Sequence, residues 1–229
     1  MADRPTALVT GANRGIGLEL ARHFAGEGCD VIGVCRETSP ELKEVATRVI
    51  ESVDVTTASG LQSLIDGVKG QSIDLLINNA GLLQDEKLGS IDFDSIRTQM
   101  EINAYAPLRV AEALVSQIPY GGKIANITSR MGSIADNDSG GRYGYRASKA
   151  ALNQIGHGAA IELARHDRDA ILVALHPGTV ETAFTAAYAG RHRMVPAQEA
   201  AQNLLQVIEG LDPSQSGGFY DWRGEEVPW

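Results

Sequence analysis

A doubly wound α/β fold, with one parallel sheet covered by helices on both faces, is predicted by three observations. Short apolar runs at 6–9, 31–34, 75–77, 124–127 and 170–175 recur between stretches with helical spacing. Runs that are apolar throughout suit strands buried on both faces, and alternation with helices suits parallel pairing. A glycine-rich turn, Thr10-Gly11-Ala12-Asn13-Arg14-Gly15-Ile16-Gly17, joins the first run to a helix beginning near Leu18. The third observation is length: 229 residues suit one α/β domain spanning 1–229, with no linker, repeat or low-complexity tract.

Composition narrows the class further. A formal charge of −9 argues against a nucleic-acid partner, which calls for a basic stripe. No run is long enough to span a membrane, and the first residues lack an apolar signal region, so the expectation is a soluble cytoplasmic protein. Cys29 and Cys35 flank one predicted strand, which is neither a disulfide framework nor a metal site.

Ligands on such sheets bind at the carboxyl ends of the strands, so the residues after each run carry the functional reading. At the first turn, Gly11, Asn13, Arg14, Gly15, Ile16 and Gly17 lead into a helix whose free N–H groups and positive dipole end suit a pyrophosphate. After the second strand comes Cys35-Arg36-Glu37. Arg14 and Arg36 together fit the dianionic 2′-phosphate of NADP, which favours NADP(H) over NAD(H); Glu37 is the feature that would favour NAD. A third strand is expected to end at Val53-Asp54-Val55-Thr56, where Asp54 either accepts from an adenine amino group or caps the helix starting near Ala58. Asn78-Asn79-Ala80-Gly81 follows the fourth strand and either pins its neighbours or lets the backbone pass close to a ribose.

A long helical pattern then runs from about Phe93 to Gln117 and contains Pro107. Proline has no N–H, so the carbonyl of Asn103 loses its helical partner; it either holds a water or marks a simple kink. The fifth strand leads into Thr128-Ser129, and after a polar loop at 136–142 comes a helix opening Tyr143-Gly144-Tyr145-Arg146-Ala147-Ser148-Lys149. Tyr145 and Lys149, four apart, share a helix face. A buried ammonium beside a phenol favours phenolate and draws the tyrosine pKa down from about 10. A fall of about three pH units corresponds to roughly 4 kcal/mol. Such a tyrosine can shuttle a proton near neutral pH. The sixth strand runs into His176-Pro177-Gly178-Thr179-Val180-Glu181-Thr182, a turn where the Val180 backbone and the Thr182 hydroxyl can bond a nicotinamide carboxamide. His176 reads as a packed histidine rather than a base.

In combination and in order, Thr10-Gly11-x3-Gly15-x-Gly17, Asp54, Asn78-Asn79-Ala80-Gly81, Asn103, Ser129, Tyr145-x3-Lys149 and Pro177-Gly178 resemble the short-chain dehydrogenase/reductase family across essentially the whole chain. The glycine turn and the ending from Gly218-Phe219-Tyr220-Asp221 to Pro228-Trp229 also resemble its C-factor and sniffer-like carbonyl-reductase branch. The resemblance implies a single-domain Rossmann fold with a seven-stranded parallel sheet. It implies Tyr145 as general acid/base and Lys149 as the group that lowers its pKa while binding the nicotinamide ribose. It also implies Ser129 as orienter of a substrate carbonyl and Asn103 as anchor of a relay water. The spacing from Ser129 to Tyr145 is longer than in many members, which leaves Ser133 as a second candidate serine. A homodimer or homotetramer is implied on the same basis.

The expected activity is NADPH-dependent reduction of a small-molecule carbonyl to an alcohol, or the reverse. The alternatives are an NADP-binding redox sensor or signalling protein with little turnover, and an NAD-dependent alcohol dehydrogenase. A segment near 182–195, with Phe184, Tyr188, Arg191, His192, Arg193 and Met194, is expected to cover the substrate.

Overall fold

The computed structural model describes residues 4–165, 169–185 and 194–229. Seven strands form one parallel sheet: β1 (Thr6–Thr10), β2 (Asp30–Val34), β3 (Arg48–Ile50), β4 (Leu75–Asn78), β5 (Lys123–Ile127), β6 (Ile171–His176) and β9 (Phe219–Asp221). Their order is β3-β2-β1-β4-β5-β6-β9, so the direction of winding reverses between β1 and β4. A separate two-stranded pair, β7 (Val180–Glu181) with β8 (Val195–Pro196), lies beyond β6. Among the described residues no helix is long and apolar enough to cross a membrane.

Alternate strand residues fill opposite cores, as a sheet covered on both faces requires. On one side Val9, Val31, Ile77, Ile127 and Val173 pack with Leu20 and Phe24 of α1 (Gly15–Gly26) and Leu204 and Ile208 of α7 (Ala197–Glu209). On the other, Leu8, Ile32, Leu76, Ile124 and Leu172 meet helices α3 (Ala58–Gly67), α5 (Ala106–Leu114) and α6 (Tyr143–Arg165) through Leu64, Val110, Leu114, Ala160 and Leu163. The short α2 (Pro40–Val45) adds Leu42 to the first core.

One strand is misplaced by the sequence pattern. Val53-x-Val55 alternates as a strand would, yet β3 ends at Ile50. Ser52 adopts a φ of 61°, which breaks the extended run, and Val53 is buried in the turn that follows. Asp54 therefore sits in a loop, and it does not cap α3. Thr57 does, its side chain accepting from the Gly60 N–H at 3.0 Å.

The long helical stretch is continuous but not uniform. Helix α4 (Phe93–Met100) passes into a π turn over Glu101–Tyr105, then α5, then a 3-10 turn over Val115–Gln117. Neither a simple kink nor an interrupted helix describes it: the chain shifts to i→i−5 bonding, with the Ala106 N–H on the Glu101 carbonyl. π turns of one turn occur often at functional sites, and this one holds Asn103.

The glycine turn closes on itself at the point where winding reverses. Gly11 and Gly15 have φ of 66° and 56°, in the region that favours glycine. A Cβ on Gly17 would stand 2.4 Å from the Gly11 carbonyl oxygen and 2.5 Å from Asn79 Nδ2. Gly17→Ala is therefore expected to destabilise the fold by about 3 kcal/mol, the upper range for forcing extra volume into a packed site. Urea unfolding should show a lower midpoint; an unchanged midpoint would mean that the turn relaxes freely.

Candidate active site

The carboxyl ends of β1, β4 and β5 are locked together by side-chain amides. The Asn79 and Ala80 N–H groups donate to Thr10 Oγ1 at 3.0 and 3.2 Å, and Asn79 Nδ2 donates to the carbonyls of Thr10 and Gly11. Asn78 Nδ2 donates to Asn126 Oδ1 on β5 at 2.9 Å. Both asparagines thus pin the switch point, where α/β sheets open their ligand crevice. At the mouth of that crevice α1 begins with no side chain capping it. Arg14 and Arg36 are exposed on the same rim, and neither forms an ion pair among the described residues.

Asp54 Oδ1 accepts from the Thr56 hydroxyl at 2.7 Å and the Thr56 N–H at 2.9 Å. These bonds, the hydroxyl first, hold its carboxyl below the usual range. Arg36 favours the ionised form too, which places that guanidinium's charge close to Asp54.

Three residues of the expected catalytic set, Asn103, Tyr145 and Lys149, are linked one strand further on, and Ser129 follows that strand. Tyr145 and Lys149 lie on α6 and are 6% and 4% exposed. Lys149 Nζ lies 5.9 Å from the Tyr145 ring centroid and donates to the Ile127 carbonyl at 2.9 Å, at the end of β5. Burial alone pushes the Lys149 ammonium down to about 7. Ser129 follows β5 and caps a short 3-10 turn at 130–132, its Oγ accepting from the Met131 N–H. That turn packs tightly on α6: a Cβ on Gly132 would stand 2.8 Å from the Lys149 carbonyl carbon. Ser133, the second candidate, is buried and caps the turn leading to Asp136.

Asn103 is fully buried, and its amide is completely used. Oδ1 accepts from the Leu82 N–H at 2.7 Å, while Nδ2 donates to the Leu82 carbonyl at 2.7 Å and to Ser148 Oγ at 2.9 Å. Ser148 Oγ in turn donates to the Tyr145 carbonyl at 2.8 Å. A Cβ on Gly81 would lie 3.3 Å from Asn103 Oδ1 and 3.9 Å from Lys149 Nζ. Gly81, Asn103 and Lys149 therefore meet at one point. Ser148 was not among the residues singled out from sequence; its place one residue before Lys149 was the available signal.

The turn after β6 closes the crevice from the other side. Gly178 has a φ of 83° and packs against the Trp222 ring. Val180 is buried, and the Thr182 methyl lies 3.4 Å from where a Gly15 Cβ would stand. The Phe184 ring meets the Tyr145 ring edge-on at 6.1 Å between centroids. One short segment, 182–184, thus reaches both the glycine turn and the phenol. Tyr188, Arg191, His192 and Arg193 lie outside the described residues. His176 is half-buried near Arg130, and the desolvation of its ring lowers its pKa to about 4, so it is neutral near pH 7. Among the described residues no group of three or more His, Cys, Asp or Glu side chains is placed to hold a metal ion.

Known proteins share this fold along most of the chain. The family model described as short chain dehydrogenase matches residues 5–192. The 1-hydroxy-2-glutathionyl-2-methyl-3-butene dehydrogenase of Rhodococcus sp. (strain AD45) is 37% identical over 226 residues, covering 98% of this chain and 99% of that protein. The C-signal protein of Myxococcus xanthus is 41% identical over 160 residues, covering 69% of this chain and 93% of that one. The crystal structure of an NADPH-bound carbonyl reductase from chicken fatty liver superposes with a TM-score of 0.86 at 28% identity, covering 100% of both chains. With the winding reversing between β1 and β4 and these matches along the chain, the protein belongs to the short-chain dehydrogenase/reductase family of NAD(P)-dependent oxidoreductases.

Proposed function

We propose that the protein is an NADPH-dependent carbonyl reductase in which Tyr145 is the general acid. The observation that carries this reading is the buried Tyr145–Lys149 pair at the end of β5, with Ser129 and Asn103 held around it. The cofactor crevice fits a dinucleotide phosphate. Gly11, Asn13, Gly15, Ile16 and Gly17 offer the start of α1 to a pyrophosphate, and Arg14 and Arg36 offer two exposed guanidinium groups to a 2′-phosphate. Asp54 and Val55 would meet the adenine. Asn79, Ala80 and Gly81 would pass beside the ribose, and Pro177, Gly178, Val180 and Thr182 would hold the carboxamide.

When bound, NADPH supplies the hydride that reduces the carbonyl carbon. Ser129 Oγ–H donates a hydrogen bond to the carbonyl oxygen and fixes its direction. The Tyr145 O–H gives its proton to that oxygen as negative charge develops there. The Lys149 ammonium, held by the Ile127 carbonyl, stabilises the phenolate left behind and binds the ribose. Both Asn103 amide hydrogens are engaged by Leu82 and Ser148, so a relay water would have to be held by its main-chain carbonyl. Phe184, edge-on to the Tyr145 ring, puts an apolar side chain beside the phenol.

A screen of aldehydes and ketones with NADPH tests the activity; NADPH binding without turnover on any of them would establish a sensor instead. The cofactor preference has its own test. Each guanidinium–phosphate pair is worth about 1.4 kcal/mol, or tenfold in affinity, so Arg14→Ala with Arg36→Ala should raise the NADPH dissociation constant roughly 100-fold. The NADH constant should change less than about threefold. Wild-type protein that binds NADH more tightly than NADPH would transfer the preference to NAD and to Glu37. The exposed Phe93, Tyr105, Leu108, Tyr143 and Ile161 on α4 to α6 support a homodimer or homotetramer, which light scattering on the purified chain would decide.

A further inference from the structure

The strand end that carries the cofactor loop continues as a strap, 81–86, across α4, the π turn and the start of α6. Two side chains one turn apart on the α4–π helix read it in succession. Asn103 holds both polar groups of Leu82, and Gln99 Oε1 accepts from the Gln84 N–H at 3.0 Å. The strap ends on a buried carboxyl group, Glu86, only 4% exposed. Glu86 Oε1 accepts from Gln99 Nε2 and lies 3.1 Å from Ser95 Oγ, whose single hydrogen has a nearer acceptor in Gln84 Oε1 at 2.7 Å, and Glu86 Oε2 accepts from the Gly144 N–H at 3.1 Å. The Glu86 carbonyl accepts from the Arg142 N–H at 3.2 Å.

Gly144 is the residue immediately before Tyr145, and its N–H belongs to the first turn of α6, one of the donors that a helix leaves without an internal partner. A carboxylate there also meets the favourable end of the helix dipole. The fit depends on a missing side chain: a Cβ on Gly144 would stand 2.7 Å from Gln99 Nε2 and 2.8 Å from Glu86 Oε1. Tyr145 is thereby fixed from two directions. On its C-terminal side Asn103 and Ser148 hold its carbonyl; on its N-terminal side Glu86 and Gln99 hold the preceding amide.

We propose that Glu86, bridged to Gln99, is a positioning residue for Tyr145, registering the first turn of α6 against the strap that leaves β4. The inference rests on the reading of Tyr145 as the general acid, and it adds a residue pair that acts through that turn without touching substrate. Glu86 Oε1 faces the Gln99 amide and Glu86 Oε2 faces the Gly144 main-chain N–H, both of which can only donate, so an amide in its place must turn an N–H toward a donor. Misplacement of a reacting group by about 1 Å can cost roughly 100-fold in rate.

Glu86→Gln tests this directly. Its kcat should fall about 10- to 100-fold while the NADPH dissociation constant, read by fluorescence titration, stays within about twofold. Amide hydrogen exchange at 143–149 should quicken at least about tenfold, with 15–26 in α1 unchanged. The double variant Glu86→Gln with Gln99→Glu restores every donor–acceptor pair with the roles exchanged, and it should recover most of the lost kcat. A kcat within about threefold of wild type overturns the assignment. A loss of NADPH binding equal to the loss of kcat does the same, as does unchanged exchange at 143–149. If the wild-type chain turns over no carbonyl compound, the reductase reading fails on that result alone. Exchange at 143–149 and its rescue in the double variant then decide whether Glu86 registers the turn.

Discussion

Tyr145→Phe is expected to lower kcat for carbonyl reduction by about 10³- to 10⁴-fold, the upper range for losing a positioned general acid. The substitution removes one oxygen and keeps the ring. That ring is buried and packs edge-on against Phe184, contacts that phenylalanine reproduces. The turn carrying it is held through main-chain atoms, by Ser148 on the Tyr145 carbonyl and by Glu86 on the Gly144 amide, and phenylalanine keeps both bonds. NADPH affinity should stay within about threefold and the thermal midpoint within a few degrees. Stopped-flow or steady-state turnover on the best aldehyde or ketone checks the rate, and fluorescence titration checks binding. Activity retained within tenfold would remove Tyr145 from the chemistry and return the choice of acid to Ser129 or water.

The parts of this site written in local sequence were readable there. A glycine turn between an apolar run and a helix needs only neighbouring residues to be recognised, and Tyr145 with Lys149 needs only the helical repeat. Asn103 was reached through the family resemblance, because the N–H missing at Pro107, four residues on, fits a simple kink equally well; that the outcome would be a π turn was not readable. The end of β3 was misread because the alternation of Val53 and Val55 is a side-chain signal, whereas Ser52 breaks the strand through its backbone angle. β9 is three residues long, and it is a strand because β6 offers it an edge through Ala174, Leu175 and His176. Glu86 had no local signal at all. Its partners, Gln99 and Gly144, lie far along the chain, and a glutamate in a polar loop looks the same whether it ends in water or under a helix.

Lys149→Met separates what the buried lysine does for catalysis from what it costs the fold. In the rate it should resemble the loss of the phenol, lowering kcat/KM by about 10³-fold, because an uncompensated phenolate in a dry site is a poor leaving state for the proton. In stability the effect has the opposite sign below neutral pH. The folded-state pKa is about 7, against about 10.4 for an unfolded lysine. Between these values the unfolded chain holds a proton that the folded chain has released, so stability rises with pH across this window and levels off above it. Below about pH 7 both states are protonated, and the folded state bears the full cost of a buried ammonium, on the order of 4 kcal/mol. Cys29, Cys35 and Tyr220 are pushed upward by burial and act in the reverse direction, but they are common to both proteins and cancel in the comparison. Methionine escapes the ammonium cost and leaves the Ile127 carbonyl without its donor, a fixed loss of about 1–3 kcal/mol. Urea unfolding of the two apoproteins from pH 6 to pH 10 should therefore give curves that cross, with Lys149→Met the more stable at pH 6 and the wild type at pH 10. Parallel curves would show that the lysine stays protonated on α6 throughout, with its charge met by a group other than the phenol.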